Sequence, residues 1–270
     1  MAVFHCEFFS KSLCRNVRFT AVIPNDVPPM VLGRNFEFKR PAKTIYLLHG
    51  FSENESGWLY YGHLVELAGK YNVNFVLPNT ENWFYLDGAS SDRKYATYVG
   101  EELVDYSRKV FGFSDRMEDT FIGGYSMGGF GAIHTALSFP DTFNKAMGLS
   151  NALIIHNVEK MTPGFTDPIA NYEYYKMVFG GEDGDVKKVA DTDYNPEHLI
   201  IGLQKENKRI PGLYLAIGTE DFLYNENQIF KKFLEEHEVP FKYSEGPGSH
   251  NFDFWNQHIE PAIRWMLDEE

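Results

Sequence analysis

Runs of three to five apolar residues recur along the chain and stop at Gly, Pro, Ser or His. They are Thr44-Ile45-Tyr46-Leu47-Leu48, Phe75-Val76-Leu77, Thr120-Phe121-Ile122, Ala146-Met147-Gly148-Leu149 and Leu213-Tyr214-Leu215-Ala216-Ile217. Near-continuous apolarity over so few residues predicts strands buried on both faces, as in a mostly parallel sheet. Pro240-Phe241-Lys242-Tyr243-Ser244 predicts another strand. The alternating stretch Val17 to Pro24 predicts an antiparallel edge.

Helical spacing fills the gaps. Val99, Leu103, Tyr106 and Val110 share one helical face, with Glu101, Glu102, Asp105 and Lys109 elsewhere on it. Trp255, Ile259, Ile263 and Met266 repeat the pattern near the end, and Ile133 to Leu137 also reads as helix. The alternation predicts an α/β fold with a mostly parallel central sheet and helices on both faces. Residues 151–209 break the rhythm: they hold no convincing strand and predict an excursion, either an ordinary loop-and-helix insertion or a cap over the site. Without an internal repeat or linker, residues 1–270 read as a single domain.

After the run ending at Ile122 the chain reads GGYSMGGFGA, five glycines in ten residues around Ser126. A phosphate-binding P-loop needs Lys followed by Ser or Thr after its glycines, and Gly128 is followed by Gly129-Phe130. A dinucleotide fingerprint would put Ser126 where its second glycine belongs. The spacing Gly124-x-Ser126-x-Gly128 between strand and helix instead fits a nucleophile elbow. Small residues on either side let strand and helix approach, and the helix N-terminus favours developing negative charge on an oxyanion. The Met127 N–H is then one oxyanion donor.

A serine nucleophile needs a base. Of nine histidines, His134 lies on the helix after the elbow, and His63, His237 and His258 read as helix-surface or core positions. His250 follows a strand, in the shaped loop Gly246-Pro247-Gly248-Ser249-His250, and is the candidate base. Asp221 follows the run Leu213–Ile217, at the edge where parallel sheets place their ligands, and is the candidate orienting acid. Glu220 and Asp193 are its competitors. The order Ser126, Asp221, His250 is that of the α/β-hydrolases. The turn Leu48-His49-Gly50-Phe51 offers the Phe51 N–H as second oxyanion donor, with His49 structural.

Composition narrows the partners. Hydrophobic residues at 43% and aromatics at 16% supply a sizeable core. The balance of 25 basic against 38 acidic residues, −13 at pH 7, argues against nucleic acid or an anionic membrane as partner. The N-terminal stretch lacks the plan of a signal peptide, no segment reaches membrane-span length, and Cys6 and Cys14 read as reduced thiols. These features predict a cytoplasmic protein. No Cys/His spacing resembles a zinc site, and neither metal nor cofactor is expected.

With these residues in place, the sequence resembles the esterase D-like, or putative esterase, family of α/β-hydrolases. The likeness runs through Leu47-Leu48-His49-Gly50, the segment Tyr95 to Leu103, the elbow Gly124 to Gly129 and the loop Gly248-Ser249-His250. It implies a serine esterase with a small-molecule ester substrate, nearest the tributyrin, feruloyl and acetyl-xylan esterase branch. Short acyl groups, acetyl to butyryl, come first, with carbohydrate or hydroxycinnamoyl esters beside them. Trp83, Tyr85, Tyr125 and Phe222 are candidate substrate contacts. S-formylglutathione hydrolases of the family carry a cysteine soon after the oxyanion turn, and Gly50 to Trp58 has none. Such a thioesterase and an acyltransferase with the same triad are the alternatives. A non-catalytic binding protein would be expected to lose a triad member. Oligomeric state is open.

Overall fold

The computed structural model describes residues 1–32 and 35–269. Each apolar run forms a strand, and eight strands make one sheet. In chain order they are β1 (Ala2–Ser10), β2 (Arg15–Ile23), β3 (Lys43–Leu48), β4 (Val73–Pro78), β5 (Thr120–Tyr125), β6 (Lys145–Leu149), β7 (Gly212–Gly218) and β8 (Phe241–Gly246). The spatial order is β1-β2-β4-β3-β5-β6-β7-β8. From β4 to β8 all pairs are parallel; β2 joins β4 antiparallel and β1 joins β2 antiparallel.

The alternation of side chains divides the core between the two faces. Tyr46, Leu48, Ile122, Leu213 and Leu215 pack on one face, against the helices Leu103–Phe111, Met127–Ser138 and Tyr224–Glu236. Ile45, Leu47, Phe121, Tyr214 and Ala216 pack on the other, against Leu64–Tyr71 and Phe252–Met266. Burial on both sides is why these strands lack a polar face.

Two expectations need correction. The stretch around Val17–Ile23 is antiparallel but is not the edge: β1 pairs outside it across the full register Ala2↔Ile23 to Ser10↔Arg15. β1 keeps most of its residues partly or fully exposed, so its sequence carries no buried-strand pattern. The helix expected through Val99 opens with a short α-helical turn, Tyr95–Thr97, and widens into a π-helical turn, Tyr98–Glu102, before regular helix at Leu103. There the Glu102 carboxylate accepts hydrogen bonds from Ser10 Oγ (2.5 Å), Lys11 N (2.6 Å) and Ser12 N (3.2 Å). It closes the β1–β2 turn, and these bonds overcome burial to hold the carboxyl below its ordinary range.

Among the described residues, no strand lies between Asn151 and Arg209. That segment carries the helices Tyr172–Phe179 and Pro196–Lys205 with shorter turns before and between them. Cys6 and Cys14 are free thiols. No helix among the described residues is long and apolar enough to cross a membrane.

Candidate active site

Four strands deliver the expected residues to one edge of the sheet. β5 ends at Tyr125, immediately before Ser126; β3 ends two residues before Gly50; β7 and β8 end at Gly218 and Gly246, ahead of Asp221 and His250. All four are parallel, so their C-terminal ends lie side by side, where an open α/β sheet binds its ligands.

Ser126 has φ 57° and ψ −122°, a left-handed conformation that is costly for a residue with a Cβ. Backbone contacts hold it there. Its N–H donates to Leu149 O (2.9 Å), and its carbonyl accepts from Phe130 N (3.1 Å) and Ala152 N (3.0 Å). The flanking glycines are forced by backbone proximity. A Cβ on Gly124 would stand 2.3 Å from Gly128 O, and one on Gly128 2.3 Å from Leu48 O. The turn therefore places the serine at the N-terminus of a 12-residue helix, Met127–Ser138, with side chains excluded on both sides.

Met127 is the first residue of that helix, so its N–H lacks an intrahelical acceptor. Neither the Met127 N–H nor the Phe51 N–H donates to any acceptor among the described residues. Gly50 brings the Phe51 turn close, because a Cβ there would stand 3.4 Å from Ser126 Cβ. Beneath the turn lies His49, buried, with Nδ1–H donating to Gly50 O (2.8 Å) and Nε2 accepting from Thr80 N (3.1 Å). Burial pushes its pKa down, and both ring nitrogens are used, so its role is structural.

The His250 Nδ1–H donates to Asp221, with Oδ2 at 2.9 Å and Oδ1 at 3.1 Å. Burial works against the Asp221 charge. The His250 hydrogen bond and charge outweigh it, helped by the Leu223 N–H and the Ser150 hydroxyl, and the carboxyl sits below its ordinary range. The competing acids are engaged elsewhere. Glu220 accepts from Gly248 N, and Asp193 is exposed beside His198. The two loops are laced together by Thr219 N to Gly246 O (2.9 Å) and Glu220 N to Gly248 O (3.0 Å). No hydrogen bond joins the Ser126 hydroxyl to His250 among the described residues; both line one cavity, and such bonds are often loose in unliganded sites.

Two cavities meet at Ser126. The larger, about 430 Å³, is walled by Phe51, Phe84, Met127, Phe165, Tyr175 and Phe222. Phe165 and Tyr175 belong to the excursion, which forms one wall of this cavity. The smaller, about 270 Å³, holds His250, Tyr125, Glu53, Asn251 and Trp255.

Of the expected substrate contacts, Phe222 and Tyr125 line these cavities, and Phe222 also lies 4.5 Å from the His250 ring. Trp83 and Tyr85 line neither. Tyr85 is fully buried and donates to His49 O (2.9 Å), while Trp83 stacks on Tyr95 and carries Arg93 over its ring. Phe84 and Tyr85 both have positive φ, and this reversal puts Phe84 into the larger cavity in place of its neighbours.

Sequence reasoning missed Ser150 and its partner. Ser150 follows β6 with φ 51°, is fully buried, accepts from Trp255 Nε1 (2.9 Å), and its hydroxyl helps hold the Asp221 carboxyl down. The signal was a serine directly after a buried strand. No group of three or more His, Cys, Asp or Glu among the described residues could hold a metal.

Comparison with known proteins shows the family and the fold. Residues 29–266 match the family described as Putative esterase. An acetyl esterase of Caldicellulosiruptor saccharolyticus is 37% identical over 266 residues, covering 98% of each chain. The fluorophosphonate-binding serine hydrolase FphF of Staphylococcus aureus superposes with a TM-score of 0.81 at 29% identity, covering 98% of each chain. An S-formylglutathione hydrolase (FrmB) of the same species gives a TM-score of 0.80 at 29% identity over 98% of each chain. The fold is that of the α/β-hydrolases.

Proposed function

The chain belongs to the Putative esterase family, and from that we propose that it hydrolyses carboxylic esters through an acyl-enzyme on Ser126. The observation that carries this reading is the convergence at one sheet edge of the strained Ser126, the His250–Asp221 pair and two unengaged backbone donors.

The chemistry follows from that placement. Ser126 Oγ attacks the acyl carbon as His250 Nε2 takes its proton, and Asp221 keeps the other ring nitrogen protonated and steadies the imidazolium. The Phe51 and Met127 N–H groups receive the oxyanion in place of water. One such donor is worth roughly 3–4 kcal/mol in other hydrolases. The intermediate collapses, the C–O bond breaks, and His250 returns the proton to the departing alcohol. Water then attacks the acyl-enzyme with His250 as base, releasing the acid and restoring Ser126.

Short acyl groups, acetyl to butyryl, are the first substrates, supported by the acetyl esterase relative at 37% identity. The aromatic walls of the larger cavity favour a second acyl class, hydroxycinnamoyl, which would stack on them. Thioester cleavage is a further reading, favoured by the likeness to an S-formylglutathione hydrolase at 29% identity. Transfer of the acyl group to an alcohol uses the same machinery. Initial rates on acetyl, butyryl, octanoyl and feruloyl esters and on S-formylglutathione, with products identified with and without an added alcohol, separate these. Octanoyl ester as best substrate would overturn the short-acyl reading, and an acyl-alcohol product would establish transfer.

A further inference from the structure

Ser126 and Phe51 line both cavities, whereas His250 lines only the smaller. The departing alcohol or thiol must take its proton from the imidazolium, so it leaves on the His250 side. The acyl portion is left with the larger, apolar cavity. This partition rests on the esterase mechanism proposed above.

The leaving-group side carries one carboxylate and no fixed cation. Glu53 is exposed there, and its carboxylate makes no ion pair or hydrogen bond among the described residues. No Lys or Arg lines that cavity, where Glu53 is the one carboxylate; the acyl cavity carries Lys160 together with Asp167 and Glu226. Glu53 Oε2 and the Tyr125 hydroxyl both lie near Gly57: the point where a Gly57 Cβ would stand is 3.1 Å from each. A free carboxylate accepts hydrogen bonds from alcohol hydroxyls, attracts cations and repels anions.

We infer that the smaller cavity is a leaving-group subsite for neutral polyhydroxylated or cationic alcohols, with Glu53 as the residue that selects against anionic ones. An acetylated polyol presents hydroxyls to Glu53. A carboxylated alcohol, or a peptide thiol bearing carboxylates, brings like charge against it.

The test uses three acetyl esters differing in the charge of the alcohol: glyceryl monoacetate, acetylcholine and acetoxyacetate. Their kcat/KM values are measured for the wild type, Glu53→Gln and Glu118→Gln, each as a ratio to wild type so that unequal intrinsic reactivities cancel. Glu118 stands ahead of β5, at the opposite end of that strand from Ser126, and removes the same charge. Glu53→Gln is expected to raise acetoxyacetate relative to acetylcholine by roughly three- to ten-fold, mainly through KM, as one partly screened charge would. Glu118→Gln is expected to leave that ratio in place, and 0.5 M salt to narrow the wild-type discrimination. An unchanged ratio in Glu53→Gln, or an equal shift in Glu118→Gln, overturns the inference. Turnover of p-nitrophenyl acetate is the separate gauge of the esterase reading: its absence in the wild type defeats that reading, and its presence without charge selection defeats this inference alone.

Discussion

His250 Nδ1 lies 2.9 Å from Asp221 Oδ2, and Asp221 Oδ1 accepts from the Leu223 N–H at 2.9 Å. The acid is therefore fixed from its own turn before it fixes the imidazole. Asp221→Asn preserves the shape but offers an amide donor to Nδ1 and favours the wrong tautomer. We expect kcat on p-nitrophenyl acetate to fall on the order of 10³–10⁴-fold with KM little changed. A fall of less than ten-fold would remove Asp221 from the catalytic set.

The elbow has no room for a methyl group. A Cβ at Gly128 would stand 2.3 Å from Leu48 O and 2.6 Å from His49 O, both backbone atoms. Gly128→Ala is expected to destabilise the fold by more than about 2 kcal/mol. Urea denaturation measures it, and a midpoint equal to wild type contradicts the packing described.

His134 gives the fold a pH dependence unconnected with catalysis. It is buried on the helix Met127–Ser138, donates from Nε2 to Asp193 O (2.8 Å), and leaves Nδ1 unpartnered. Burial lowers its pKa to about 4. Between that value and its unfolded value near 6.5, the unfolded chain binds a proton that the folded chain does not. Stability is therefore full above roughly pH 6.5 and falls as pH drops toward 4, by up to about 3 kcal/mol. His134→Gln is expected to flatten that slope in urea titrations at successive pH values. A slope identical to wild type would assign the acid sensitivity to other groups.

Much of this architecture could be read from residues, for identifiable reasons. Strands β3 to β7 are buried on both faces, so their sequences are short apolar runs with unambiguous ends. The elbow was legible because backbone proximity demands glycine at Gly124 and Gly128. Asp221 and His250 were legible because each follows a strand through a short loop. β1 was not, since an edge strand with exposed Phe4 and Phe9 carries no buried pattern. Trp83 and Tyr85 misled because their place depends on two consecutive left-handed residues that are not glycine. Ser150 escaped notice because Trp255, its hydrogen-bond partner, and Asp221, the carboxyl it helps hold down, are 105 and 71 residues distant in sequence, and only the fold unites them.

The excursion contributes one wall of the larger cavity, and Phe165 is its half-buried aromatic, with its ring centroid 6.1 Å from that of Tyr175. Phe165→Ala is expected to lower kcat/KM for a feruloyl ester by about ten-fold, from lost apolar contact. The acetyl ester, too small to span the cavity, should change less than about two-fold by the same argument. Equal losses on both esters would separate the excursion from acyl recognition.

The central claim is that Ser126 is the nucleophile. The most direct measurement is steady-state turnover of p-nitrophenyl acetate by Ser126→Ala, with circular dichroism confirming an unchanged fold. The account predicts a loss on the order of 10⁴-fold or more in kcat. A folded Ser126→Ala variant that retains wild-type turnover would contradict it.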